Sequence, residues 1–446
     1  MGALEQAGGR PLVVGGAVRD ALLPPRGSTA PAPKDIDIEV RGLAGPGRLA
    51  AALSPLGRVT ERGVAFGIVA LDMDGEAFEV SVPASAGGVD LDEVEASARR
   101  DFTINSMAWE PSTGRFIDPH GGAADLTAGV LRHTSAAFGD DPLRVLRGMQ
   151  LAARFGLVMT PPTAGVCRGL LARHVEIAPE RIWEEWRKLA RRGVDISAGL
   201  RVLVETGWID LVPELAATRG VEQDVRWHAE GDVFTHLGLA ADEAAAAADR
   251  DGIDPATREV VVLAALLHDL GKVSTTRTEV EPDGTTRITS RGHARAGVPL
   301  ADLLLTRIGA PRRLVRRIVP LIDEHMTHVG VASPSPAAVR RLVRRLDADG
   351  HGASLSEWAR LVDADCAGRG ATAKPSPSQR WLDVAARAGS AAPRAGVLTG
   401  EHLIARGLAP GPVFGAVLAA ALEAQDDGTF DDEDGALRWL DASPYG

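Results

Sequence analysis

An α+β fold is predicted by two contrasts along the 446-residue chain. In the first third, short β-branched runs alternate with Gly and Pro breaks, the pattern of strands packed around a crossover helix. From about Asp140 onward, apolar residues recur three and four apart and Pro and Gly fall at segment ends, which is helical periodicity. A mixed N-terminal sheet with helices, followed by an all-α remainder, is the expected architecture.

The elements follow in order. PLVV (11–14), DIDIEV (35–40), FGIVALDM (66–73) and EAFEVSV (76–82) read as strands, and Ala17 to Leu23 as the crossover helix. Ala244 to Ala248 is a tract of the strongest helix former. Three stretches read as joints: 24–34, 282–292 and 368–379, each rich in Pro, Gly, Ser or Thr. No repeat of solenoid period occurs.

Composition sets the class. With 45% apolar and 24% charged residues the chain is globular, not disordered. Cys167 and Cys366 are too few and too far apart for a disulfide framework or a zinc site, which fits a reducing cytoplasm. The N-terminus lacks a signal peptide pattern, and no apolar run approaches the ~20 residues of a membrane span, so no membrane partner is expected. A net charge of -11 argues on its face against nucleic acid. The charge is unevenly placed, however. Residues 401–446 hold nine acids against two Arg, whereas 307–345 hold nine Arg against two acids. Residues 131–200 hold eleven Lys and Arg against seven acids, and Arg312, Arg313, Arg316 and Arg317, then Arg340, Arg341, Arg344 and Arg345, recur at helical spacing, so RNA is expected to meet these two basic regions and to avoid the tail. Solvated helix faces are the plainer reading of such doublets.

The first chemical constellation opens at Gly15-Gly16, a glycine turn after a strand whose backbone N–H groups and following helix suit an anion, with Arg19 as a charged donor. Asp35 and Asp37 lie two apart on a strand and so share a face, and hard carboxylate oxygens there suit Mg²⁺. Glu79 completes a carboxylate cluster if its strand lies beside theirs. In Arg99-Arg100-Asp101-Phe102-Thr103-Ile104-Asn105, cations and an amide can bracket a triphosphate or sugar while Phe102 and Ile104 anchor the core. Taken singly, each has a bland reading: a geometric turn, an edge strand with solvated acids, a capped helix start.

Together, GGAVRD, DID, RRDFTINSMA and DDPLRVLR followed by AARFGL resemble the class II tRNA nucleotidyltransferase and poly(A) polymerase family. The resemblance implies a nucleotidyltransferase palm with Asp35 and Asp37 as Mg²⁺ ligands for transfer to an RNA 3′-hydroxyl. Gly15, Gly16 and Arg19 would hold the triphosphate, and Arg100, Asp101 and Asn105 the phosphates and ribose. Asp141 and Arg144 would read the base, and Arg147 would belong to the nucleotide-binding set. The chemistry agrees: a carboxylate accepts from the exocyclic amine of cytosine or adenine and Arg donates to the adjacent ring nitrogen, which selects CTP and ATP without a template. Two departures stand out. Asp140 replaces the family's usual Glu, and the 80–99 stretch is shorter than the corresponding loop, a feature that family associates with adding only the two C residues.

The second constellation lies downstream. His268-Asp269 ends an apolar helix, where burying either unpaired is costly and a metal would compensate both. His236, His268, Asp269 and Asp365 follow the order of the HD phosphohydrolase family, which they resemble; the resemblance makes all four metal ligands, His268 and Asp269 also being catalytic, and puts His293 and His325 where two-metal members carry extra histidines. Imidazole with carboxylate suits Ni, Co, Mn, Fe or Zn. A metal-bound hydroxide would attack a phosphoester, and Lys272 would steady the phosphate.

The whole resembles bacterial CCA-adding enzymes with a C-terminal HD domain, over roughly residues 11 to 370. It implies a palm domain at 1–130, a helical neck at 131–215, an HD domain at 216–370 and an acidic helical tail at 371–446. The implied function is addition of C, with or without A, to tRNA 3′ ends, with phosphodiesterase or phosphatase action on RNA ends and ATP and CTP as substrates. The competing readings are a poly(A) polymerase, whose relatives carry a basic C-terminal extension, and an HD phosphohydrolase with a CC-only or vestigial transferase site.

Overall fold

The computed structural model describes residues 1–23, 36–43, 45–62, 68–73, 76–83, 91–387 and 395–445. It separates into one unit of Met1–Arg181 with Arg201–Trp208, and a second of Ile182–Leu200 with Ile209–Gly446.

Unit one is built on a seven-stranded sheet. Its strands are β1 (Arg10–Val14), β2 (Asp37–Arg41), β3 (Arg58–Arg62), β4 (Ile68–Met73), β5 (Glu76–Ser81), β6 (Ala108–Glu110) and β7 (Arg115–Ile117), in the order β3-β4-β5-β2-β1-β6-β7. All neighbours are antiparallel except β2 and β5, which run parallel. The cause is the connection: after β2 the chain passes through the helix Gly45–Leu53 and a β3-β4-β5 meander, so β5 returns in the direction of β2. Leu49 and Leu53 of that helix pack with Val40, Val69, Leu71 and Val80, forming one core of the unit. Leu12, Val14, Ala108 and Ile117 form another, smaller one.

Four of these strands match the sequence reading in position. The others, β3, β6 and β7, were not legible: β3 is Arg-Val-Thr-Glu-Arg and the last two are only three residues long. The Arg99–Ala108 stretch is also not a helix start. The helix Glu93–Ala98 comes before it, closed by a capping box in which Asp92 accepts from Glu95 N at 2.8 Å, and Thr103–Asn105 is a 3₁₀ turn. Residues 84–90 of the short-loop stretch lie outside the described residues.

Unit two is helical. The helix Pro255–Leu267 has Asp254 accepting from Ala256 N at 2.9 Å and Thr257 N at 3.0 Å, and Pro at its first position. Val260 to Leu267 are all buried, as an all-apolar helix requires. Beside it runs Val233–Arg250, whose Ala240, Ala241, Ala244, Ala245 and Ala248 are buried small residues that let neighbours approach closely. One correction concerns the joint at 282–292. It is largely a hairpin, Arg277–Val280 paired with Thr286–Thr289, turning through Asp283-Gly284 with Gly284 at φ 81°. Polar residues on both faces hid its alternation, although Asp-Gly is a strong hairpin signal.

A second correction concerns the arginine doublets. Arg340 and Arg344 bond the buried carboxylate of Asp426, Arg341 pairs with Asp427 at 2.6 Å and Arg345 with Glu324 at 2.6 Å. Arg312 pairs with Asp302 at 2.7 Å, and Arg317 with Glu357. The tail acids Asp426 and Asp427 thus pair with Arg340, Arg341 and Arg344 within the fold, and Glu324 with Arg345, so these four arginines are tied to carboxylates. The Arg340–Asp426 pair is buried and costly to break because removing one partner would leave an uncompensated charge, whereas the exposed pairs contribute little. Among the described residues, no helix is long and apolar enough to cross a membrane.

Candidate active sites

In unit one, Gly15 follows β1 at φ 72°, a conformation only glycine takes without strain. A Cβ there would lie 2.7 Å from Arg100 Nη1 and 3.6 Å from Asp37 Oδ2, so turn, arginine and carboxylate converge on one spot. Asp37 is exposed and sits directly opposite exposed Glu79 in the β2–β5 register, which brings their strands side by side. Asp35 lies outside the described residues. Two-residue alternation puts Glu39 on the same face as Asp37. Glu39 bonds Arg100 and accepts from Arg41 Nη2 at 2.9 Å, so it aims Arg100 at the glycine turn. The sequence reading missed Glu39, although the alternation that paired the two aspartates also reaches it.

Arg19 is buried, bonds Asn105 and Asp20 (2.7 Å), and lies 4.5 Å over the Phe155 ring. Burial pulls its pKa below the usual arginine range, with Asp20 acting in the opposite sense. Asn105 in turn donates to Asp101 at 3.0 Å, and Phe102 N and Arg147 Nε each donate to the same carboxylate at 2.7 Å. Burial alone would raise the pKa of Asp101; Arg147 and these hydrogen bonds outweigh it and hold the carboxyl below its ordinary value. Phe102 and Ile104 are fully buried, and Phe102 meets Phe138 edge-on at 5.3 Å.

Asp141 and Arg144 do not pair with each other. Asp141 accepts from Arg181 Nη2 at 2.6 Å, and Arg144 donates to the carbonyls of Ala137 at 2.6 Å and Arg99 at 2.5 Å. The simple i,i+3 surface ion pair is therefore not formed. Arg181 was not legible because it lies forty residues from its partner.

In unit two, His236, His268, Asp269 and Asp365 come together, fully or almost fully buried, with His293 and His325. Asp269 is the centre. Its Oδ2 lies 3.3 Å from His268 Nε2, 3.6 Å from His236 Nε2 and 2.6 Å from Lys272 Nζ. Its Oδ1 lies 3.1 Å from His293 Nε2 and 3.8 Å from His325 Nε2. Asp365 Oδ1 is 3.2 Å from His236 Nε2, and Arg369 grips both oxygens of Asp365. Two overlapping donor groups thus share Asp269, one with His236 and His268, the other with His293 and His325.

The donor set fits a divalent transition metal. His236 Nε2, His268 Nε2 and Asp269 Oδ1 are buried without a well-directed hydrogen bond, an expense that an ion would remove. Burial, with His268 and His293 beside it, pushes His325 down to about 3, so it is neutral and able to coordinate. Burial would raise the pKa of Asp269, but Lys272, His268 and His293 hold it well below the carboxylate range. Neutral imidazole and ionised carboxylate are the ligand forms. A cavity of about 580 Å³ opens onto this centre, with Lys272, Arg287, Arg291 and Arg369 in its wall. That cationic wall suits a phosphate.

The fold and the two sites define a class, a polymerase-type head followed by an HD domain. The chain matches the poly A polymerase head domain at residues 12–132 and the HD domain at 233–349. It is 33% identical to the multifunctional CCA protein of Xanthomonas oryzae pv. oryzae, covering 80% of this chain and 85% of that one. It is 37% identical to that of Burkholderia pseudomallei, over 68% of this chain and 73% of the other. A solved structure of the Bacillus stearothermophilus CCA-adding enzyme in complex with CTP superposes with a TM-score of 0.62 at 20% identity, covering 99% of this chain and 95% of that one. The Thermotoga maritima CCA-adding enzyme complexed with tRNA gives 0.54 at 20% identity, over 98% and 92%. The chain belongs to the multifunctional CCA protein family.

Proposed function

We propose that this chain adds C, with or without the terminal A, to tRNA 3′ ends without a template, and that its HD pocket hydrolyses phosphoesters at RNA ends. The transferase reading rests on the convergence of the Gly15 turn, Arg100 and Asp37 with Glu79 in register beside Asp37. It is supported by a family whose relatives are named for CCA and whose fold is solved with CTP, ATP and tRNA.

In this reading the Gly15-Gly16 turn and Arg19 hold the triphosphate, and Glu39 keeps Arg100 aimed at it. Asp101, fixed by Asn105 and Arg147, orders the floor under the ribose. Asp141 and Arg144 select cytosine or adenine. Asp35 and Asp37, with Glu79 beside them, are the carboxylates for Mg²⁺, which would activate the attacking hydroxyl and stabilise the leaving pyrophosphate. In the HD pocket His236, His268, Asp269 and Asp365, joined by His293 and His325, hold a transition metal such as Ni²⁺, Mn²⁺, Co²⁺ or Fe²⁺, and Lys272 and Arg369 receive the phosphate. Residues 1–130 serve as palm, 131–215 as neck, 216–370 as HD domain and 371–446 as acidic tail, working in the cytoplasm, where Cys167 and Cys366 remain thiols.

Sizing the products on tRNA that ends before CCA tests this. CTP alone should add two residues; adding ATP should give three for full CCA addition or leave two for a CC-adding enzyme. No extension by folded protein with Mg²⁺ overturns the proposal, and long tails with ATP alone replace it by poly(A) synthesis.

A further inference from the structure

The histidines of the HD centre are not all oriented in the same way. His268, His293 and His325 each place Nδ1 on the backbone carbonyl three residues back, at 2.8, 2.7 and 2.6 Å from Ala265, Ser290 and Ile322. That contact fixes the tautomer and leaves Nε2 facing the centre. His268 and His325 stand at helix C-termini, where such carbonyls lack a helical partner. His236 stands instead in the first turn of Val233–Arg250, where the carbonyls are committed to the helix. Its Nδ1 lies 2.8 Å from Glu230 Oε1, a close contact that is not a well-directed hydrogen bond, while His228 Nδ1 bonds the same oxygen at 2.8 Å. The side chain of Glu230 is only 3% exposed, and its second oxygen has no hydrogen-bond partner. His228 stacks edge-on against His236 at 4.8 Å and lines the cavity.

We propose that Glu230 is the positioning residue of His236: its carboxylate is placed to accept from Nδ1–H, keeps Nε2 turned toward Asp269 and Asp365, and strengthens this imidazole as a ligand. A carboxylate behind a metal-bound histidine raises its basicity, and removing such a partner characteristically weakens metal binding 10- to 100-fold. Glu230 lies outside the four-residue HD pattern, and it touches no group that would touch substrate except through His236 and His228.

This inference rests on the metal reading of the HD pocket, and the test separates the two. Equilibrium binding of Mn²⁺, Co²⁺ and Ni²⁺, each alone, is measured on the full chain for the wild type, Glu230→Gln and Glu230→Asp, with the Co²⁺ absorption spectrum recorded alongside. The Gln variant should bind about 10- to 100-fold more weakly and show an altered Co²⁺ spectrum. The Asp variant, which keeps the carboxylate, should bind more tightly than the Gln variant. A Gln variant that binds as tightly as the wild type, or more tightly than the Asp variant, overturns the role of Glu230. A wild type that binds none of the three ions overturns the metal reading beneath it.

Discussion

Asp37→Ala is expected to lower CTP incorporation into tRNA by about 10³-fold or more, equivalent to roughly 4 kcal/mol of lost transition-state stabilisation. The reason is position. Asp37 is the described carboxylate nearest the Gly15 turn, opposite Glu79 in the strand register, and the ligand role proposed for it could not be taken over by an apolar methyl. Because Asp37 is exposed, truncating it opens no cavity, so folding should survive. Phosphohydrolase activity should persist. Initial rates of labelled CTP incorporation at saturating tRNA check this, and a variant within tenfold of the wild type would remove Asp37 from the reaction.

Asp269→Asn should do the converse. This side chain is shared by both donor groups, within 3.8 Å of four imidazole nitrogens and 2.6 Å from Lys272. The amide keeps the shape but loses the charge, and its NH₂ presents hydrogens where an ion or an imidazole needs an oxygen lone pair. Bound metal and phosphate release should fall together, the latter by about 10³-fold, since the ion would supply several kcal/mol of catalysis. CTP incorporation should be unchanged. Metal content by elemental analysis, beside phosphate release from 2′-phosphorylated ends, measures both; a variant that keeps its metal and loses only activity would reassign Asp269 to a role other than ligation.

What was legible in the sequence depended on how local the signal was. Gly15-Gly16 and His268-Asp269 each mark the junction of an element with a turn, and a few residues suffice to see them. Glu79 was reached only on the condition that its strand pair with β2, and the parallel register supplies that condition. Arg181 was missed because only tertiary folding brings it to Asp141; Glu39 was missed although the strand alternation reaches it, and Glu230, close to His236 in the chain, because it lies outside the HD pattern. The arginine doublets failed in another way. Their spacing on the helix Pro336–Leu346 was read correctly, but their partners Asp426 and Asp427 lie more than eighty residues away, and only the fold shows that the acidic tail meets them. Part of the acidic tail's charge is thus offset by internal pairing with arginines.

One substrate reports on both halves of the account. A tRNA that ends before CCA and carries a 2′,3′-cyclic phosphate has no free 3′-hydroxyl, so it can be extended only after hydrolysis frees that hydroxyl, either by opening the ring at the 3′-oxygen to leave a 2′-phosphate or by removing the phosphate altogether. Supplied with CTP, ATP, Mg²⁺ and a transition metal, the wild type should lengthen this tRNA as it lengthens the hydroxyl-ended form, after a lag, and Asp269→Asn should leave it unextended. Extension of the hydroxyl-ended tRNA with none of the cyclic-phosphate form, in protein loaded with metal, would contradict the claim that one chain prepares and completes the same RNA end.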